Sequence, residues 1–218
     1  VEAVIASKTD VVMTSVAGDP YSIGYISLGS LNDNVKALTI DGVEPTAENV
    51  KNGSYKVARP FNIATKGQLS PLAEDFIRFI MSAEGQAVTA RGYIAVDDQA
   101  GAYAGSKPEG KVVVAGSSSV SPLMEKLIEA YQAINPNAEF ELQTNDSTSG
   151  MTGAIDGTCD IGMASRNLKD SEKEKLDHMA IAMDGIAVIV NNENPLSDIS
   201  SDMVKSVYIG ETTKWDAL

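Results

Sequence analysis

Apolar positions recur along this chain in two rhythms, and the alternation becomes regular from Lys111 onward. Val112 to Ala115 is a short apolar run of strand type, and Pro122 to Ile134 places Met124, Leu127, Ile128 and Tyr131 on one side of a helix. Glu139 to Thr144 reads as a strand, followed by a helix through Met151 and Ile155 to Gly157. Asp160 to Ala164 is a strand, Asp170 to Asp177 a charged helix, and Ile186 to Val190 a strand bounded by Asn191-Asn192. Strand–helix alternation of this kind predicts an α/β fold, with a mainly parallel sheet and helices on both faces. Ligands on such sheets bind beyond the carboxyl ends of the strands.

Before Lys111 the elements are shorter. Val1 to Ala17 predicts a short helix without a capping residue, with Val4, Ile5, Val11, Val12 and Val16 apolar. Gly18-Asp-Pro is a turn, Ser22 to Leu28 a strand, and Val35 to Ile40 a further strand ending at Asp41-Gly42. Glu48 to Gly53 is one helical turn, and Tyr55 to Thr65 is a strand in which Pro60 points to an edge or a bulge. Ser70-Pro71 combines a cap with proline at the first helical position, and Leu72, Phe76, Phe79 and Ile80 follow as one buried face. Ser82 to Arg91 is a second, shorter helix stopped by Gly92. Ala95 to Gly110 is small, polar and glycine-rich, the composition of a flexible linker, and marks the clearest boundary.

Composition narrows the function classes. With 218 residues, 43% hydrophobic and 22% charged, the chain fits one large or two small globular domains. No apolar run approaches the ~20 residues of a membrane span, and Val1 to Lys8 lacks the basic start and apolar core of a signal peptide. A net charge of −13 argues against nucleic acid as a partner and repels anions at long range. An anion site here therefore has to rest on short-range hydrogen bonds. The single cysteine, Cys159, allows no internal disulfide and reads as a buried structural thiol.

The candidate chemistry lies at three strand ends. Lys111 to Pro122 runs from four strand-forming residues through Gly116 into Ser117, Ser118 and Ser119, then Ser121-Pro122, a helix start. Such a turn aims free amides and a positive dipole end at one point, and serine hydroxyls can donate to an oxyanion there. Asn145-Asp-Ser-Thr-Ser-Gly150 repeats the pattern, and Ser165-Arg166-Asn167 follows the strand from Asp160. If adjacent, these ends bring together hydroxyls, two helix N-termini and one guanidinium that can bind a phosphate bidentately. The plain alternative is that the hydroxyls are helix caps. Asp184, ahead of the strand Ile186 to Val190, is either a turn residue or an acceptor for the proton of a protonated phosphate. Enzymatic readings are weak: Gly116 to Val120 lacks the second glycine of a nucleophile elbow, and the only histidine, His178, sits in a charged helical stretch. No phosphate-binding P-loop or paired Cys/His spacing occurs, so no metal is expected.

Several stretches carry a family resemblance. Val-Ala-Gly-Ser-Ser-Ser-Val-Ser-Pro, Ser-Thr-Ser-Gly, Asp-Ile-Gly-Met-Ala-Ser-Arg and Asp-Gly-Ile-Ala-Val-Ile-Val-Asn resemble the amino-terminal half of the phosphate-binding proteins of bacterial ABC phosphate importers. Ile-Gly-Tyr-Ile-Ser-Leu-Gly, Asp-Gly-Val-Glu-Pro-Thr-Ala-Glu-Asn-Val and Ser-Ala-Glu-Gly-Gln resemble the carboxy-terminal half. The resemblance implies a type II periplasmic-binding-protein-like α/β fold, two lobes closing over inorganic phosphate, no chemistry and no cofactor. It further implies an ABC transporter membrane permease as partner, and an extracytoplasmic location of the parent protein, periplasmic or lipid-anchored at the cell surface. The phosphate ligands it implies are Ser118, Ser119 and Ser147. Arg166 falls where some members place an aspartate and others an arginine, and Asp184 is the candidate proton acceptor.

The two halves stand in reversed order relative to that family pattern. This fits a circular permutation, most simply an engineered one, with 95–110 joining the original termini. A Gly-Ser-Gly-Thr-Arg-type turn of the family's second lobe has no match here. The resemblance thus implies one complete lobe, 32–94 with 111–191, and a partial second lobe, 1–31 with 192–218. It implies weakened phosphate binding and self-association through the incomplete lobe. The rival readings are an engineered test of lobe folding and assembly without ligand binding and, more remotely, a serine hydrolase using Ser118.

Overall fold

The computed structural model describes residues 4–6 and 8–217. In chain order its elements are α1 (Thr9–Gly18), β1 (Ile23–Ser27), β2 (Lys36–Ala37), β3 (Thr39–Ile40), α2 (Ala47–Lys51), β4 (Ala58–Thr65), α3 (Pro71–Ile80), α4 (Ala83–Thr89) and β5 (Ile94–Ala95). They continue with β6 (Gly110–Ser117), α5 (Ser121–Ile134), β7 (Ala138–Asn145), α6 (Ser147–Asp156), β8 (Ile161–Ala164), α7 (Asp170–Lys173), β9 (Asp177–Val190), β10 (Asp198–Ile199) and α8 (Ser201–Tyr208). No helix among the described residues is long and apolar enough to cross a membrane. The chain forms two compact units, Val1–Ala58 with Gly185–Leu218, and Arg59–Asp184. The division between the units falls within β4 and within β9.

Within 59–184, β6 pairs in parallel with β7 on one side and with β8 on the other, and β4 joins β8 antiparallel. The sheet is therefore mixed around a parallel core, where a mainly parallel sheet was expected. Alternation along β6 explains the two faces. Val112 and Val114 pack with Leu123, Met124, Leu127 and Tyr131 of α5 and with Leu72, Phe76 and Phe79 of α3. Ala115 points the other way, against Met151 and Ala154 of α6. Full burial of each large apolar side chain contributes roughly 1.5–3 kcal/mol. Ser70 caps α3 by accepting from the Ala73 amide at 3.2 Å, with Pro71 in the first turn, as its sequence requires. The β4 ladder to β8 covers Asn62 to Ala64, so Pro60 is spared any amide bond in it.

In the other unit the end of β9, Ile186 to Val190, pairs antiparallel with β1, and β2 also pairs with β9. The single strand expected over Val35 to Ile40 is divided. Lys36 and Ala37 pair with β9, whereas Thr39 and Ile40 pair in parallel with β10, and fully buried Leu38 lies between. The expected first helix shortens to α1, in which Val16 is buried. Val4 and Ile5 lie ahead of it and are exposed, and residues 1–3 and 7 of that expectation lie outside the described residues.

Two further expectations are corrected. The charged helix over Asp170 to Asp177 is only α7, and His178 belongs to the exposed start of β9. The stretch 95–110 has a linker's composition but is tied down. Buried Asp75 accepts hydrogen bonds from the Tyr103 hydroxyl, the Ser106 amide (3.0 Å) and the Lys107 amide (3.2 Å). Glu84 accepts from the Tyr103 amide at 2.7 Å, and Asn135 donates to the Pro108 carbonyl at 2.8 Å. Backbone polar groups that look free in sequence find fixed partners, so this segment belongs to the 59–184 unit.

Candidate functional site

The parallel pairing of β6 with β7 and β8 aligns three carboxyl ends. Ser117 closes β6, Asn145 closes β7, and Ser165 follows β8. The Ser117 hydroxyl donates to the Ser165 hydroxyl at 2.9 Å, and Ser147, first residue of α6, lies 3.4 Å from that same oxygen. The Ser165 amide donates to Ser147 Oγ at 3.1 Å. The turn after β6 is stitched to the turn after β7, since the Ser118 amide donates to the Asn145 carbonyl at 2.8 Å. Ser121 Oγ donates to the Ser117 carbonyl and receives a hydrogen bond from Thr144 Oγ1.

Two helices begin at this edge. α5, 14 residues long, starts without a side-chain cap, while Asp146 caps α6 by accepting from the Ser149 amide (3.0 Å) and hydroxyl (2.7 Å). These hydrogen bonds, the hydroxyl's first, hold the Asp146 carboxyl below the usual range. Gly116 and Gly150 let α6 approach β6. Gly116 has φ +136°, and a Cβ there would meet the Met163 carbonyl oxygen at 2.3 Å.

The charged groups divide into two pairs. Arg166 makes a bidentate contact with Glu172, at 2.8 and 2.9 Å, and also donates to Thr148 Oγ1 at 3.2 Å. Arg59 on β4 donates through Nε to buried Asp184 on β9 at 3.2 Å. Asn62 faces Ala164 in the antiparallel ladder and donates to the Arg166 carbonyl at 2.8 Å. Positions before Asn62, Arg59 among them, lie beyond the Asn62–Ala164 pair with which the β8 ladder ends.

A description of the PBP superfamily domain matches residues 1–84 and 101–218. The phosphate-binding protein PstS 2 of Streptococcus agalactiae is 50% identical over 219 residues, covering 99% of this chain and 74% of that protein. The phosphate-binding protein PstS 2 of Streptococcus pneumoniae TIGR4 is 46% identical, over 99% of this chain and 75% of its own length. The chain belongs to this family of phosphate-binding proteins, in the PBP superfamily. A crystal structure of a phosphate-binding protein of a phosphate ABC transporter from Streptococcus pneumoniae TIGR4 matches the fold, with TM-score 0.76 and 45% identity, over 99% of this chain and 84% of that one.

In this PBP-superfamily chain, Ser118 and Ser119 lie on the turn after β6 and Ser147 on the turn after β7, and the Ser118–Asn145 backbone hydrogen bond joins the two turns. Ser118, Ser119 and Ser147 are half-buried, whereas Ser117 and Ser165 are buried. The caps account for part of the hydroxyl signal: Ser149 is spent within the Asp146 cap. Arg166 reaches the edge of the α6 turn through Thr148, but its fork is closed by Glu172. Asp184 is bound to Arg59 rather than standing at a bare turn. Neither Arg59 nor Glu172 stands out in the sequence. The available signal for Arg59 is one charged residue within a strand, just before its Phe-Asn-Ile-Ala run. Glu172 carried none, because it looks like any acidic residue of a solvated helix.

Proposed function

We propose that this chain binds inorganic phosphate as the solute-binding component of an ABC phosphate transporter. The observation that carries the reading is the Ser117–Ser165–Ser147 hydroxyl cluster, set where α5 and α6 begin at the aligned ends of β6, β7 and β8. Neutral hydroxyl and amide donors at helix N-termini suit an oxyanion, and they work despite the net charge of −13 because they act at contact distance. Ser118, Ser119 and Ser147 supply donors in this reading, Arg166 orders the α6 turn through Thr148, and Asp184 holds the Arg59 guanidinium. Family membership supports the same ligand.

In this reading the chain works outside the cytoplasm and hands phosphate to a membrane permease. The hydrolase reading draws no support from the site, since His178 lies exposed at the start of β9. The reading as an engineered folding test draws none either. Similarity to a natural streptococcal protein runs through 219 aligned residues and 99% of this chain, so the order of segments here is also that relative's order.

Isothermal titration with inorganic phosphate tests the proposal. Saturable heat that is absent with chloride at equal ionic strength is expected. No heat up to millimolar phosphate, together with heat from another solute, rejects it.

A further inference from the structure

We propose that Arg59 supplies the cationic contact to the bound anion, an inference that rests on the phosphate-binding reading above. The guanidinium of Arg166 offers little to a ligand. Both of its terminal nitrogens are engaged by Glu172, and that carboxylate is itself buried and braced by the Lys169 amide at 2.8 Å. Opening this fork would leave a buried carboxylate without its counter-ion, which is costly.

Arg59 is arranged differently. Its Nε alone donates to Asp184, at 3.2 Å, and among the described residues no other group hydrogen-bonds its two terminal nitrogens. The side chain is 17% exposed and its guanidinium carbon lies 5.7 Å from the centre of the Phe61 ring. Held at one edge by Asp184 and on one face by Phe61, the guanidinium keeps its NH1/NH2 fork for a tetrahedral oxyanion. Continued past the Asn62–Ala164 pair, the antiparallel register sets Arg59 level with Asn167, just after Ser165 and Arg166, and Asn62 ties the two segments by donating to the Arg166 carbonyl at 2.8 Å. Asp184 then has a positioning role: it sets the orientation of Arg59 and offsets the cost of burying a cation.

Equilibrium dialysis of the full chain against radiolabelled inorganic phosphate, at fixed ionic strength, separates the possibilities. Arg59→Gln is expected to weaken phosphate binding about ten- to hundredfold, the range for losing charge-assisted hydrogen bonds. Arg59→Lys should recover part of the loss, and Arg166→Gln should cost at least threefold less than Arg59→Gln. The double variant Arg59→Gln with Asp184→Asn keeps a neutral pair of the same shape, so a folded protein with the same loss excludes unfolding as the cause. The inference is overturned, with the phosphate reading intact, if the parent binds and Arg59→Gln stays within twofold of it, or if Arg166→Gln loses as much. Absence of binding by the parent chain overturns both.

Discussion

Gly116 and Gly150 meet backbone to backbone. A Cβ built on Gly150 would lie 2.7 Å from the Gly116 Cα and 2.8 Å from the Ala115 carbonyl oxygen. These are backbone atoms of β6, so they cannot swing aside as a flexible side chain would. Gly150→Ala is expected to push the first turn of α6 off the sheet, lowering stability by about 1–3 kcal/mol, the usual cost of overpacking. Phosphate affinity should fall with it, because Ser147 rides on that turn. Urea unfolding and phosphate titration of one preparation check this, and an unchanged midpoint would show that α6 has slack.

Ser147→Ala removes the oxygen that accepts from the Ser165 amide at 3.1 Å. One unmet buried amide costs about 1–2 kcal/mol, and phosphate binding should weaken by about tenfold. Ser147→Thr keeps the hydroxyl and should stay near the parent in stability. A Thr variant that loses as much as the Ala variant would count against the hydroxyl's role.

Asp75 gathers the 95–110 segment onto α3 and α5, accepting from Tyr103, Ser106, Lys107 and also Tyr131 Oη at 2.7 Å. Asp75→Ala leaves these donors to water or to nothing, and should cost about 2–4 kcal/mol. Limited proteolysis should then cut within 95–110 much faster than in the parent. Equal cutting rates would mean that the segment is held by other contacts.

The same carboxylate predicts a pH dependence. Burial by itself raises the Asp75 pKa, but the hydrogen bonds from Tyr103, Tyr131, Ser106 and Lys107 together outweigh it and hold the group below its ordinary 3.8. A depressed folded-state pKa means that the unfolded chain takes up the proton first. The stabilisation is therefore complete above the unfolded value near ~3.9 and is lost as pH falls through the folded one. Thermal melts between pH 6 and pH 3 should fall more steeply for the parent than for Asp75→Asn. Parallel curves would remove Asp75 from the account.

Cys159 is buried, and that burial raises its thiol pKa to about 11. The thiolate fraction at pH 8 is then small and poorly accessible. A disulfide reagent should modify the native chain slowly and the urea-unfolded chain at once. Rapid native labelling would point to local opening around α6.

Much of this was legible in the order of residues. The strand–turn–helix repeats from Lys111, the cap at Ser70-Pro71, the stop at Gly157 and the serines at the strand ends all express local chemistry, and the structure keeps them. Local signals misled where partners lie far along the chain. The segment 95–110 reads as a free linker until Asp75 supplies acceptors for its amides, and Val35 to Ile40 reads as one strand until β9 and β10 divide it.

The sequence by itself determined the α/β class, the family, and which turns carry hydroxyl donors, because each depends on periodicity or on residues within a few positions of one another. The tertiary structure decided which carboxylates the arginines pair with. Arg166 and Glu172 are six residues apart, yet nothing in that spacing says that the fork closes on a carboxylate, while Arg59 and Asp184 are 125 apart and meet only through the strand order. Charge pairing in a folded chain follows from burial and sheet register, and neither is encoded in any single stretch of residues.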